Sequence, residues 1–216
     1  MMEIEEPPLV ATSQRGYALM ARITFYFDVG SPYAYLAAER LHSLLPEPVE
    51  WQPVFLGGLF KLTGRRSWAL GDYRRRQAGM ATIERRALQY GLPPIHWPDP
   101  WPTDYLIAMR AATFAFTVGC GREFTMQAFR DAFQKGRELS IAAHVLDAGV
   151  QSGIKRSELE HAIAAPEIKR ALRQATHSAH ELGVFGVPTI AVGDELFWGD
   201  DRLEDAAVHL QAVSAA

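Results

Sequence analysis

Residues 22–55 read RITFYFDVGSPYAYLAAERLHSLLPEPVEWQPVF, and the hydrophobic period changes twice within them. From Arg22 to Phe27, the residues Ile23, Phe25 and Phe27 alternate with Thr24 and Tyr26, which is the period of a strand. A turn containing Gly30 follows. From Pro32 the period becomes helical, with Ala37, Leu41, Leu44 and Leu45 on one stripe that Pro46 closes. Val49 to Phe55 returns to strand character. Two strands joined by one short helix make a βαβ unit, whose strands pair in parallel through a right-handed crossover.

Downstream of this unit the strand signal nearly vanishes. Helical segments are predicted at about residues 68–90, 104–119, 121–135, 140–153, 157–163 and 167–183, and Ser157 with Glu160 has the spacing of a capping box. Strands return at Pro188 to Val192 and Glu195 to Trp198, joined by the tight-turn pair Gly193-Asp194, and a last helix is predicted from Asp201 to Val213. Neither end piece can bury its strands alone, so the two must pair across the helical block. The expected architecture is α/β, a thioredoxin-like mixed sheet built from residues 21–57 and 184–216, with an all-helical domain, 58–183, inserted. Residues 1–20, with three glutamates, two consecutive prolines and no period, read as a disordered extension.

Composition narrows the partners. With 22 basic and 25 acidic residues among 216, the chain has no overall field to draw a nucleic acid or a membrane surface. Its apolar runs fall well short of the roughly 18 residues of a spanning helix, and the opening segment is acidic where a secretory signal is basic, so a cytoplasmic location is expected. A single cysteine, Cys120, excludes an internal disulfide framework and a zinc site of several thiolates; it is expected to be inert, and no metal is expected.

Three junctions between elements carry residues with chemistry to offer. The first is Asp28-Val29-Gly30-Ser31-Pro32-Tyr33-Ala34-Tyr35. A helix starting here presents unpaired N–H groups and the positive end of its dipole, a setting that favours an anion. Pro32 loses nothing at the first helical position by lacking an N–H, and Ser31 becomes the N-cap. Capping alone accounts for Ser31, yet a hydroxyl in that place can also donate to a thiolate held at the helix start. Lowering a thiol pKa by about two takes about 2.7 kcal/mol, within the combined reach of a hydroxyl, the dipole and local N–H donors. A hydrolase-type serine needs a histidine base, and spacing ties none of the seven histidines to Ser31. Thiol-disulfide exchange needs a Cys-x-x-Cys pair, and Ser31 to Ala34 contains no cysteine.

The second junction is Gly183-Val184-Phe185-Gly186-Val187-Pro188-Thr189-Ile190, where a helix ends in glycine and a proline opens a strand. A cis bond before Pro188 leaves the backbone of Val187 to pair with a bound peptide; the plainer reading is a loop and an edge strand. The third is Trp198-Gly199-Asp200-Asp201-Arg202-Leu203-Glu204, where one aspartate can cap the last helix and two adjacent acids suit an ammonium group. Between Gly58 and Tyr90 lie eight basic residues and two acidic ones. They form a solvated face or, at Lys61, Arg65 and Arg66, a draw for a carboxylate. In Trp97-Pro98-Asp99-Pro100-Trp101, the tryptophans either seal a loop onto the core or wall an aromatic substrate.

Together, Ser31-Pro32-Tyr33 after an aromatic strand, Gly183 to Ile190, and Phe197-Trp198-Gly199-Asp200-Asp201-Arg202-Leu203 resemble the 2-hydroxychromene-2-carboxylate isomerase family, relatives of the kappa-class glutathione transferases. Gly57-Gly58-Leu59-Phe60-Lys61-Leu62-Thr63-Gly64 and Trp101-Pro102-Thr103-Asp104-Tyr105-Leu106-Ile107-Ala108-Met109-Arg110 extend the resemblance, which spans about residues 21–210. It implies a thioredoxin-like fold with a helical insertion, bound glutathione and often a homodimer. Carried onto matching positions, Ser31, flanked by Pro32 and Tyr33, holds the glutathione sulfur. Val187, before a cis-Pro188, pairs with the glutathione backbone, and Asp200 and Asp201 receive its γ-glutamyl end. The implied activity is glutathione-dependent isomerisation of an aromatic chromene carboxylate, 2-hydroxychromene-2-carboxylate to trans-o-hydroxybenzylidenepyruvate. A kappa-class-like transferase and a non-catalytic thioredoxin-like binding protein are the alternatives. The chain departs from the family at Arg65-Arg66-Ser67-Trp68, where asparagine followed by Arg-Pro-Pro is usual, and at Thr103-Asp104, near another usual asparagine. Both departures fall where the second substrate or the glycine end of glutathione is expected, and Lys61, Arg65 and Trp101 are the residues expected to meet substrate.

Overall fold

A computed structural model describes residues 22–46 and 48–215. The expected disorder of residues 1–20 lies outside the described residues. Strand β1 (Ile23–Phe27), helix α1 (Pro32–Leu44) and strand β2 (Val49–Pro53) form the βαβ unit, with β1 and β2 parallel and Phe25 opposite Trp51. Strands β3 (Thr189–Val192) and β4 (Glu195–Trp198) form an antiparallel hairpin. β3 lies antiparallel to β1, with Ile190 opposite Phe25, which closes the sheet in the order β2-β1-β3-β4. The two ends of the chain thus complete one mixed sheet, because β1 is buried along its whole length and needs a neighbour on each side.

Between β2 and β3 run α2 (Leu56–Thr63), α3 (Tyr73–Gln89), α4 (Leu106–Thr117), α5 (Gly121–Phe133), α6 (Ala142–Gln151), α7 (Arg156–Ala164) and α8 (Pro166–Glu181), and α9 (Leu203–Ser214) ends the described chain. The period-2 alternation of β1 sends Phe25 and Phe27 to one face and Tyr26 to the other. Phe25 and Phe27 join a core shared with α1, α4 and α5, where Phe27 meets Trp51 at 5.8 Å and Phe129 at 6.2 Å between ring centroids. Tyr26 joins a smaller cluster with Leu59 of α2, Ala179 of α8 and Val187. Each fully buried phenylalanine contributes about 1.5–3 kcal/mol, so both faces of the sheet are held by side chains from the helical block.

Several local expectations need correction. β2 ends at Pro53 and not at Phe55; beyond it only the Val54 N–H still reaches β1, donating to the Phe27 carbonyl at 3.0 Å. The helix expected over 68–90 is two pieces, because Ser67 caps a short 3₁₀ turn, Trp68–Leu70, and Asp72 then caps α3 by accepting from the Arg75 N–H at 2.9 Å. Helix α2 was absent from the periodicity, since two adjacent glycines make a poor helix former. It forms because Leu59 is fully buried and Asp28 receives its first N–H. Ser157 is not an N-cap. α7 begins one residue earlier at Arg156, whose guanidinium pairs with Asp147 at 2.8 Å, and Ser157 falls inside the first turn. Nor do Asp200 and Asp201 cap α9, which starts at Leu203 after a 3₁₀ turn, Asp200–Arg202, with their side chains engaged elsewhere.

Candidate functional site

β1 stops at Phe27 and α1 starts at Pro32, and the four residues between them form a turn with little freedom. The Ser31 N–H donates to the Asp28 carbonyl at 3.0 Å, the Gly30 N–H to Asp28 Oδ1 at 2.8 Å, and the Val29 N–H to Met109 Sδ at 3.2 Å. Gly30 is required for space, since a Cβ there would sit 2.4 Å from the ring of Tyr105. Ser31 is the N-cap of α1 as expected: its Oγ accepts from the Ala34 N–H at 3.2 Å. The same hydroxyl donates to the Val187 carbonyl at 3.4 Å, which brings together two residues separated by 156 positions. The Val187–Pro188 bond is cis. Val187 precedes β3, and among the described residues its N–H makes no hydrogen bond.

This turn lies in a cleft of about 760 Å³. One wall is aromatic. Tyr33 meets Trp68 at 6.1 Å between centroids, and Trp68 meets Trp101 at 5.5 Å, so indoles continue the wall outward from the start of α1. Trp97 stands behind Trp101 at 4.5 Å and abuts Phe133 of the core, so of the two tryptophans in the proline-rich loop one seals and the other faces the cleft. Elsewhere in the lining Phe185 packs edge-on against Trp198 at 4.8 Å, and the Arg65 guanidinium lies over Phe185 at 4.0 Å.

The far end of the cleft is charged. Asp200 is fully buried, and its carboxylate accepts from Arg86 Nη1 at 2.5 Å and from the Tyr90 hydroxyl at 3.0 Å. Its carbonyl accepts from Arg40 of α1 at 3.1 Å. Arg86 uses its other terminal nitrogen on Asp201 Oδ2 at 2.9 Å. Asp201 is more than half exposed and lines the cleft, and among the described residues its second carboxylate oxygen has no hydrogen-bond partner. Burial pushes the Asp200 carboxyl up, and the Arg86 charge works against that shift. Burial together with Asp200 raises the Tyr90 hydroxyl to about 12. Asp28 is also buried, and desolvation pushes its carboxyl up to about 6 in spite of two N–H donors.

Ser31, Pro32, Tyr33, Arg65, Trp101, Val187, Pro188, Asp200 and Asp201 all line this one cleft. Lys61 does not; it is exposed in the last turn of α2. Among the lining residues to which the sequence assigns no role are Asp28, Trp68, Tyr105 and Arg86. The periodicity places Trp68 at the start of a helix and Arg86 in a solvated basic face. Asp28 and Tyr105 lie inside the motifs at the start of α1 and before α4, where the sequence assigns them no role of their own. A charged residue between β1 and its turn was the available signal for Asp28.

A mixed sheet of order β2-β1-β3-β4, with a helix opening beside a cis-proline at the head of β3, defines a thioredoxin-fold protein carrying serine at the helix start. The chain belongs to the DSBA-like thioredoxin domain family, whose model matches residues 22–211. It is 28% identical over 190 residues to a 2-hydroxychromene-2-carboxylate isomerase of Pseudomonas putida, covering 84% of this chain and 90% of that one. It is 23% identical over 203 residues to glutathione S-transferase kappa 1 of Homo sapiens, covering 84% of this chain and 87% of that one. Among solved structures, a 2-hydroxychromene-2-carboxylate isomerase superposes with a TM-score of 0.79 at 25% identity, over 89% of this chain and 97% of that chain. The likeness to these isomerases, expected over about residues 21–210, holds over most of the chain. Among the described residues, no helix is long and apolar enough to cross a membrane.

Proposed function

We propose that the protein is a glutathione-dependent isomerase of an aromatic chromene carboxylate, of the 2-hydroxychromene-2-carboxylate to trans-o-hydroxybenzylidenepyruvate type, acting in the cytoplasm. The observation that carries this reading is the Ser31 hydroxyl at the N-cap of α1, in the wall of a cleft that also holds the unpaired Val187 N–H and the open oxygen of Asp201. These groups fit glutathione in kind and order: a donor for sulfur, a peptide edge, and a carboxylate for the γ-glutamyl ammonium. When bound there, glutathione would supply a thiolate nucleophile for reversible addition to an activated double bond of the substrate, with the ring C–O bond opening before bond rotation and the thiol released unchanged, so that the net reaction is an isomerisation.

The chain's own part is electrostatic and positional. Ser31 turns its hydroxyl from the Val187 carbonyl toward the sulfur, and the first-turn N–H groups of α1 add their share of positive potential. A preorganised donor of this kind stabilises charge without reorganising when the reaction starts. Val187 fixes the peptide edge. Asp201 takes the ammonium, while Asp200 stays on Arg86 and Tyr90 and holds that end of the cleft rigid. Tyr33, Trp68 and Trp101 offer a flat apolar wall to an aromatic ring, and Arg65 stands opposite as a counter-charge for the substrate carboxylate.

The test is to incubate the protein with 2-hydroxychromene-2-carboxylate, with and without glutathione, and to weigh the product. Glutathione-dependent loss of substrate to an isomer of equal mass is the expected result. A product heavier by one glutathione makes it a transferase. Absence of saturable glutathione binding in calorimetry would leave only a thioredoxin-like binding protein.

A further inference from the structure

Resting on that reading of the cleft, we propose that Asp28 is the residue that positions Ser31, by tying the Ser31 turn to the start of α2 through both oxygens of its carboxylate. Oδ1 accepts from the Gly30 N–H at 2.8 Å, and Oδ2 accepts from the Leu56 N–H at 2.7 Å. The backbone carbonyl of the same residue accepts from the Ser31 N–H at 3.0 Å. Two of the three N–H groups between Asp28 and Pro32 therefore end on Asp28, and the third is held by Met109. The turn is fastened at one end to β1 and at the other to a helix from a different part of the chain.

Only an ionised carboxylate does this. Asparagine offers one acceptor oxygen and would turn an N–H₂ toward one of the two N–H donors, and serine is too short to reach both. Asp28 is 3% exposed and lines the cleft, so water has little access to replace either bond. The charged group that acts on it is Asp104, on the loop before α4, and its sign is the same; the titratable neighbour on that side is Tyr105. Among the described residues no cation offsets the burial, and a carboxylate in such a place is costly. Its persistence here is explained by the double acceptor that the turn requires. Because the carboxyl titrates at about 6, the turn is held by two bonds above that pH and loses one acceptor as the pH falls through it.

The first measurement needs neither glutathione nor a variant: the amide resonances of Gly30 and Leu56 are followed by NMR from pH 8 to 5. The expected result is one common titration step near pH 6 at both amides, absent in Asp28→Asn. Separate midpoints, or a step that persists in Asp28→Asn, would overturn the clasp. The second reads the ultraviolet absorbance of the bound glutathione thiolate in the native chain, Ser31→Ala, Asp28→Asn and the double variant. Asp28→Asn should cut the thiolate fraction about tenfold below the native midpoint, and adding it to Ser31→Ala should change nothing further, since the two act through one hydroxyl. Additive losses would make Asp28 a structural residue only. Failure of the native chain to bind glutathione overturns the proposed function instead, and the amide titration then decides on the clasp alone.

Discussion

Ser31 is asked to do two things with one oxygen. As N-cap it accepts from Ala34; as sulfur donor it gives its proton to an anion, and a hydroxyl can do both at once because it has two lone pairs and one proton. Ser31→Ala should then lose about 1 kcal/mol of stability with the cap and about 10²-fold in turnover with the donor, while keeping most of its glutathione affinity. Denaturant unfolding, steady-state kinetics and calorimetry separate the three; unchanged turnover would remove Ser31 from the chemistry. Asp28 yields a prediction of the opposite sign to the usual acid. Its carboxyl titrates near 6 when folded against an ordinary value of 3.8, so between pH 4 and 6 the unfolded chain has already lost a proton that the folded chain keeps. Stability from this group is full below about pH 4 and falls as pH rises through 6, by about 3 kcal/mol at 1.36 kcal/mol for each pKa step. Urea titrations across that window should show the fall in the native chain and a flatter profile in Asp28→Asn. The N-cap was legible from Ser31-Pro32 because capping is a local rule. The partner Leu56 was not, since nothing in a linear pattern shows where a carboxylate will end 28 residues away.

Elements divide in the same way. The strands, α1 and the β3–β4 hairpin follow local period and turn chemistry, and their order alone implied that the chain ends close one sheet. The wall of the cleft depends on a break in a helix that periodicity does not see. Gly71 and the cap at Asp72 detach Trp68–Leu70 from α3, and this lets the Trp68 indole fold back on α3 at Gly79, where a Cβ would lie 2.1 Å from its ring. Trp68 is thereby held between Tyr33 and Trp101. Gly79→Ala should push the indole out of that notch, and Trp68→Ala should remove it. Both are expected to raise the KM for the aromatic substrate about tenfold and to leave glutathione affinity within about twofold, since among the described residues Trp68 makes ring contacts with Tyr33 and Trp101 and no hydrogen bond to Asp200, Asp201 or Val187. A loss of glutathione binding in Gly79→Ala, with substrate KM unchanged, would show that the wall serves a different ligand. The departure from the family at Arg65 to Trp68 thus has a local result. It places an aromatic side chain and a cation, both lining the cleft, where a proline stretch is usual.

At the scale of the whole molecule, the cleft exists because three separate parts of the chain are stitched at its charged end. Arg40 of α1 and Arg86 and Tyr90 at the end of α3 converge on Asp200, which follows β4, and Arg40 also pairs with Glu204 of α9. Removing the cation from a buried carboxylate is expensive, so Arg86→Ala should lose about 3–5 kcal/mol and part of the C-terminal packing with it. Arg86→Lys keeps a charge near Asp200 but cannot fork to Asp201 as well, and is the gentler probe. Both bear on ligand binding through the same groups. A ligand that binds only the folded chain stabilises it by about 2.7 kcal/mol at a hundred times its Kd, and at this chain length each kcal/mol moves Tm by about 2–4 °C. Saturating glutathione should therefore raise the native Tm by about 5–10 °C. Ser31→Ala should keep most of that rise, because sulfur is one contact among several, whereas Arg86→Lys should lose most of it by loosening Asp201 from its place. An unmoved native Tm would argue against glutathione in this cleft, and an equal rise in Arg86→Lys would place its γ-glutamyl end somewhere other than Asp201.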